Sequence, residues 1–146
     1  MTIRLMQTED YDAVFALWKA CTGMGLNDFD DTFEGVARFL RRNPSTCFVA
    51  EEGGETTGVI LTGHDGRRAH IYHAAVRPDH RGKGIGRALV ETALAALKAE
   101  GIAKVSFVAF ARNEDGNAFW DHMDFTRRED LVYRDKVLIP MTRTDT

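Results

Sequence analysis

At 146 residues, 44% of them hydrophobic and 28% charged, the chain has the size and composition of one folded domain that buries roughly two-thirds of its unfolded surface, which excludes intrinsic disorder. A net charge of −3 argues against a nucleic-acid partner, and no apolar run reaches membrane-spanning length, so neither nucleic acid nor membrane is an expected partner. Two cysteines are too few for a disulfide framework, and Met1–Arg4 does not begin a signal peptide; a cytoplasmic protein with Cys47 as a reduced core thiol is expected.

Ile3 to Met6 predicts a short first strand. Thr8, Glu9 and Asp10 supply a cap and early acids, and Val14, Leu17 and Trp18 recur at helical spacing, so a first helix runs to about Ala20. Gly23 and Gly25 stop it. A polar loop, Asn27 to Asp31, carries Asp28, Asp30 and Asp31. Asp31 or Thr32 then caps a second helix with Val36, Phe39 and Leu40 on one face, ended by Asn43-Pro44.

The pattern next turns to strands. Cys47 to Glu51 and Thr57 to Thr62 flank Gly53-Gly54 as a hairpin, and Asp65-Gly66 marks a second tight turn. The strand that follows, Ala69 to Val76, alternates: Ile71, His73 and Ala75 on one face, Tyr72, Ala74 and Val76 on the other. A long helix starts near Gly84 with Ile85, Leu89, Ala93 and Leu97 along one stripe, and Gly101 ends it. Lys104 to Ala109 predicts another strand, and strand–helix–strand at this spacing is a right-handed crossover with parallel strands. A short helix over Asn117 to Met123 and a final hairpin, Phe125 to Arg128 with Leu131 to Leu138, complete a mixed α/β domain spanning 1–146.

The chemistry is densest between the Ala69–Val76 strand and the long helix. Gly82, Gly84 and Gly86 remove side chains where helix-start N–H groups lack partners, and Arg81, Lys83 and Arg87 surround the same opening. Unpaired N–H groups and the helix dipole both favour an anion, so a phosphate or pyrophosphate ligand is expected. A P-loop is excluded because Gly84 follows Lys83, and the dinucleotide pattern fails because Arg87 stands at its last glycine.

Arg81-Gly82-Lys83-Gly84-Ile85-Gly86 resembles the Arg/Gln-x-x-Gly-x-Gly/Ala signature of the GNAT superfamily of N-acetyltransferases, and Ala74-Ala75-Val76-Arg77-Pro78 looks like the strand leading into it. The resemblance extends along nearly the whole chain. It implies an α/β (α+β) fold with a mixed, mostly antiparallel twisted sheet, a central splayed parallel pair and about four helices. It also implies that the turn binds the pyrophosphate of acetyl-CoA, with the pantetheine arm between Ala74–Val76 and the Lys104–Ala109 strand. Asn113 to Phe125 resembles the family's Asn-x-x-Ala-x-x-x-Tyr-x-x-x-Gly-Phe segment, which gives Asn113 a contact to the same arm. Trp120 replaces the usual tyrosine and Asp124 the usual glycine. An indole does not supply a proton at useful pH, so Trp120 is expected to pack beside the thioester rather than act as acid.

Amine acetylation needs a neutral amine, a polarised thioester and a stabilised thiolate. His73, on the strand beside the gap, is the candidate base, and Tyr133 is a substitute acid. Asp28, Asp30 and Asp31 lie where the resemblance places the acceptor site, and could hold a cationic amine. His70 and His73 are expected on opposite faces of their strand, which argues against a metal. The expected function is transfer of an acetyl group from acetyl-CoA, without a metal, to a primary amine of a small molecule or protein; a homodimer is compatible with the sequence. The alternative is a non-catalytic acyl-CoA-binding module of the same fold, suggested by Trp120.

Overall fold

The protein is described here by a computed structural model covering residues 1–145. Five strands form one sheet in chain order: β1 (Thr2–Leu5), β2 (Phe48–Glu52), β3 (Glu55–His64), β4 (Ala69–Val76) and β5 (Val105–Phe107). The first four pair antiparallel and β4 pairs β5 parallel. Helices α1 (Tyr11–Ala20) and α2 (Phe33–Arg42) cover one face, α3 (Ile85–Ala99) and α4 (Glu114–His122) the other. The mixed sheet, its single parallel pair and the four α-helices are those expected from the sequence.

Each face closes its own core. Val14, Leu17 and Trp18 of α1, with Val36 and Leu40 of α2, pack on Val49, Val59 and Leu61. On the far side the α3 stripe Ile85, Leu89, Val90 and Ala93 packs on Ala50, Ile60 and Ile71. Each such side chain contributes roughly 1.5–3 kcal/mol by leaving water. The close seat of α3 depends on Gly58, where a methyl group would stand 2.8 Å from Leu89 Cδ1. No helix among the described residues is long and apolar enough to cross a membrane.

Three departures from the sequence reading shape the site. First, β4 does not alternate throughout. Its register steps from Leu61↔His73 to Thr62↔Ile71, so Tyr72 is an extra residue without a partner. This bulge reverses the phase: Ile71 joins the α3 core, whereas His70, opposite Gly63, faces the α2 side together with His73. The expectation that His70 and His73 point to opposite faces is thereby corrected. Among the described residues, no three His, Cys, Asp or Glu side chains converge as a metal site.

Second, α4 begins at Glu114, three residues earlier than expected, because the Asn113 side chain accepts from Gly116 N at 3.1 Å and caps it. Third, no strand forms over residues 125–138. A strand needs an edge of matching length, and β5 offers only three residues. The chain instead runs on exposed to residues 142–145, which fasten to the α1–α2 loop. Thr144 N donates to Leu26 O, Asp28 N to Thr142 O, and the Asp145 carboxylate accepts from Gly25 N and Leu26 N at 3.1 and 2.7 Å.

Candidate active site

Pairing between β4 and β5 stops at Ile71↔Phe107, after which the two strands part. From Tyr72 to Val76 the β5-side edge of β4 therefore has no ladder partner among the described residues. A cavity of about 2180 Å³ opens along this gap. It runs from the start of α3, past Ala74, Ala75 and Val76, to His73 and the α1–α2 loop. Such a volume exceeds a small-ligand pocket because it joins a long groove to a second cleft.

At the α3 end the local sequence dictates the shape. Gly84 is the residue before the first helical turn and has φ +83°, a left-handed conformation that costs a side-chain-bearing residue roughly 1–2 kcal/mol. No side chain caps α3, so its first N–H groups face the opening. Methyl groups built at Gly82 or Gly84 would meet nothing within 4 Å, which leaves the turn free for a bulky anion. Gly86 has a different reason to be glycine: a methyl group there would meet Phe119 of α4 at 3.2 Å.

The cations divide. Arg87 lines the groove and reaches Glu91 at 3.4 Å. Arg81 also lines it, folded back with Nε 3.3 Å from Val76 O and NH2 3.6 Å from the Cys21 sulfur. Lys83 stands outside the lining, 4.0 Å from Glu52. The Cys21 thiol is pushed up by burial, more than the neighbouring Arg81 guanidinium draws it down, and burial pushes the Cys47 thiol up to about 12. Both are free and inert at neutral pH.

Asn113 and Trp120 line the opposite wall. The indole is buried against Phe107 of β5 at 4.2 Å, Phe125 at 4.9 Å and Phe119 at 5.2 Å between ring centroids. Trp120 is thus a wall of the gap fixed on three sides.

At the other end, two residues singled out separately in the sequence meet. His73 Nε2 lies 2.8 Å from Asp31 Oδ1, with both side chains largely buried. The second Asp31 oxygen accepts from Asn27 N at 2.9 Å, so His73 and Asn27 hold the carboxylate between them, while Tyr11 donates to the Asp31 main-chain carbonyl at 2.6 Å and fixes the backbone. Gly35 lets α2 pack on this loop; a methyl group there would lie 2.3 Å from Asp30 O. Trp18 packs its ring 4.8 Å from the His73 ring. With Nε2–H donating to Asp31, Nδ1 keeps an unused lone pair, and it has no hydrogen-bond partner.

The other acids are differently engaged. Asp28 Oδ1 accepts from Thr142 N at 2.6 Å, and Asp30 Oδ2 from Asn27 Nδ2 at 3.2 Å. Tyr133 lies on the unpaired C-terminal run, 71% exposed, at the cavity rim. The sequence reading missed Arg38, Arg41 and Arg42 of α2 and the exposed Tyr72, all of which line the cleft. Helical spacing carried the signal for the arginines. None existed for Tyr72, whose position follows from the bulge.

Residues 11–125 match the profile of the Acetyltransferase (GNAT) family. An acetyltransferase of Sodalis glossinidius is 30% identical over 139 residues, covering 95% of this chain and 96% of that protein. The PaiA N-acetyltransferase of Thermoplasma acidophilum, solved with coenzyme A, superposes with a TM-score of 0.73 at 18% identity, covering 84% of this chain and 87% of that one. The ribosomal-protein-S18-alanine N-acetyltransferase of Escherichia coli gives 0.71 at 22% identity over 87% of this chain and 78% of its own.

Proposed function

The chain belongs to the GNAT family and is an acetyl-CoA-dependent N-acetyltransferase, and from that premise we propose how its own residues divide the work. The bound co-substrate supplies the activated acetyl thioester. The N–H groups opening α3, left uncapped behind Gly82 and Gly84, hold the diphosphate, with Arg81 and Arg87 adding charge. Lys83 contributes long-range attraction from outside the groove. The free edge of β4 at Ala74, Ala75 and Val76 pairs with the pantetheine arm as an added strand would, and Asn113 contacts it from the other wall.

His73 is the base. The observation that carries this is its pairing with Asp31, which fixes the ring and leaves Nδ1, a buried atom without a partner, as the acceptor that the bound amine or one water must reach. The amine nitrogen forms the new N–C bond as the C–S bond breaks; its proton passes to His73, directly or through one water, and the departing sulfur takes a proton from Tyr133 or solvent. Main-chain N–H groups of β4 polarise the carbonyl. Asp31 is a positioning residue here, while Asp28 and Asp30 shape the acceptor loop. The non-catalytic module has no comparable support, since Trp120 serves as a packed wall and the base stands elsewhere.

In this reading residues 1–146 act as one catalytic domain in the cytoplasm, where the free thiols of Cys21 and Cys47 stay reduced. The acceptor is a small-molecule or protein amine. A second copy of the chain covers the exposed apolar side chains Leu131, Val132, Val137, Leu138 and Ile139 as a homodimer, which light scattering decides.

Calorimetry with coenzyme A tests the groove. Gly84→Glu, which places bulk and negative charge at the turn, is expected to abolish binding; retained micromolar affinity refutes the placement. Thiol release from acetyl-CoA with a mixed amine panel tests the reaction, and binding without amine-stimulated release would support the module instead.

A further inference from the structure

The wall facing the His73–Asp31 pair has a composition that amine acetylation alone does not require. Gly35, Arg38, Phe39 and Arg42 fall at i, i+3, i+4 and i+7, one stripe of α2 turned to the cavity, with Arg41 on its flank. Among the described residues none of these three arginines has an ion-pair partner, a state they share with Arg67, Arg68, Arg81, Arg112 and Arg134, and the Arg38 guanidinium lies 5.7 Å from the centre of the Phe29 ring. The acids nearest in the fold are already engaged, Asp31 by His73 and Asp30 by Asn27. Three cations without an ion pair thus stand along one side of one cleft in a protein of net charge −3.

Beside the arginines lies an aromatic shelf. Phe39 and Tyr72 meet edge to face at 5.3 Å, and His70 meets Tyr72 at 4.7 Å, while Tyr72 remains 55% exposed. The β4 bulge places it there. An exposed ring held between two others is a rigid apolar surface of low entropic cost to a ligand.

We propose that the acceptor is a small amine carrying an anionic group, a carboxylate or a phosphate, on the same molecule. The anion pairs with Arg38 and Arg42, whose planar forks suit either group; the body lies on Tyr72 and Phe39; the amine reaches His73. This rests on the acetyltransferase reading and adds an anion contact on α2 to the expectation that the acidic loop holds a cationic amine.

The test measures acetyl transfer by the full chain to matched pairs: phenylalanine against phenylalaninamide, and O-phosphoethanolamine against ethanolamine, with spermidine as the cationic control. A preference in kcat/KM of about tenfold or more for the anionic member is expected in at least one pair, and the pair that shows it tells carboxylate from phosphate. In Arg38→Gln with Arg42→Gln that preference is expected to fall toward parity through KM, with kcat and the affinity for coenzyme A retained. Parity or a reversed preference in both pairs, or transfer to spermidine as good as to the better anionic amine, overturns the proposal and leaves the enzyme reading standing. A preference that survives loss of both arginines also overturns it. Coenzyme A binding without transfer to any of the five amines would overturn this inference, whereas the enzyme reading stands or falls with the mixed amine panel.

Discussion

At the scale of single residues, the proposed mechanism turns on one hydrogen bond between two side chains 42 positions apart in the chain. His73 could be singled out in the sequence as a titrating group on the right strand, and Asp31 as one of several loop acids, but nothing in either segment announced the other. Their pairing predicts a joint kinetic signature. His73→Ala is expected to lower kcat by roughly a hundredfold while coenzyme A affinity holds. Asp31→Asn should lower kcat less, since the ring loses its orienting charge but keeps its acceptor; an unchanged kcat in both variants removes the pair from the mechanism. His70 behaves differently. Burial lowers its pKa from the ordinary 6.5, so the folded state disfavours its charged form. Its contribution to stability is complete above the unfolded value and is lost as pH falls through the lower folded value. Thermal unfolding across mildly acidic pH should show this decline in the native protein and a flatter one in His70→Gln.

Elements were the most legible scale. β4 begins and ends where its pattern said, α2 and α3 lie within their expected bounds, and the glycine-rich opening of α3 stands between them in the order its chemistry required. These segments are readable because each is decided locally, by periodicity and caps. β5 was read three residues too long, since the residues after Phe107 have no ladder partner and Lys104, whose carbonyl accepts from Ala69 N at 3.1 Å, only borders the ladder. α2 illustrates how an element sets a site at a distance. Its first turn rests on the carbonyls of Phe29 and Asp30 through Gly35, so Gly35→Ala must push the loop or the helix aside. A loss of about 1–3 kcal/mol is expected, read as a lower Tm, together with reduced acetyl transfer as Asp31 is drawn from His73; coenzyme A affinity, set at α3, should remain.

The whole molecule is organised as a sheet whose middle is continuous and whose β5 side opens. The C-terminal run was the least legible part, because its alternating apolar residues satisfy every local rule for a hairpin while the pairing edge they need is a global property. Its end nevertheless holds the α1–α2 loop proposed to receive the amine, because the Asp145 carboxylate accepts from the N–H groups of Gly25 and Leu26. Asp145→Ala is expected to raise KM for the amine severalfold, with faster hydrogen exchange at residues 25–28 and an unchanged heat of coenzyme A binding. The bulge at Tyr72 has a consequence for comparing this protein with its kin. Counting along β4 by twos yields the wrong layer for everything on the N-terminal side of Tyr72, so a relative with an uninterrupted strand would bear its matching histidine on the opposite side of the sheet. Kinship in acceptor choice is therefore better judged by which cross-strand neighbour a residue faces than by its place in an aligned column, and a one-residue gap inside this strand would be a genuine change of specificity rather than an alignment error.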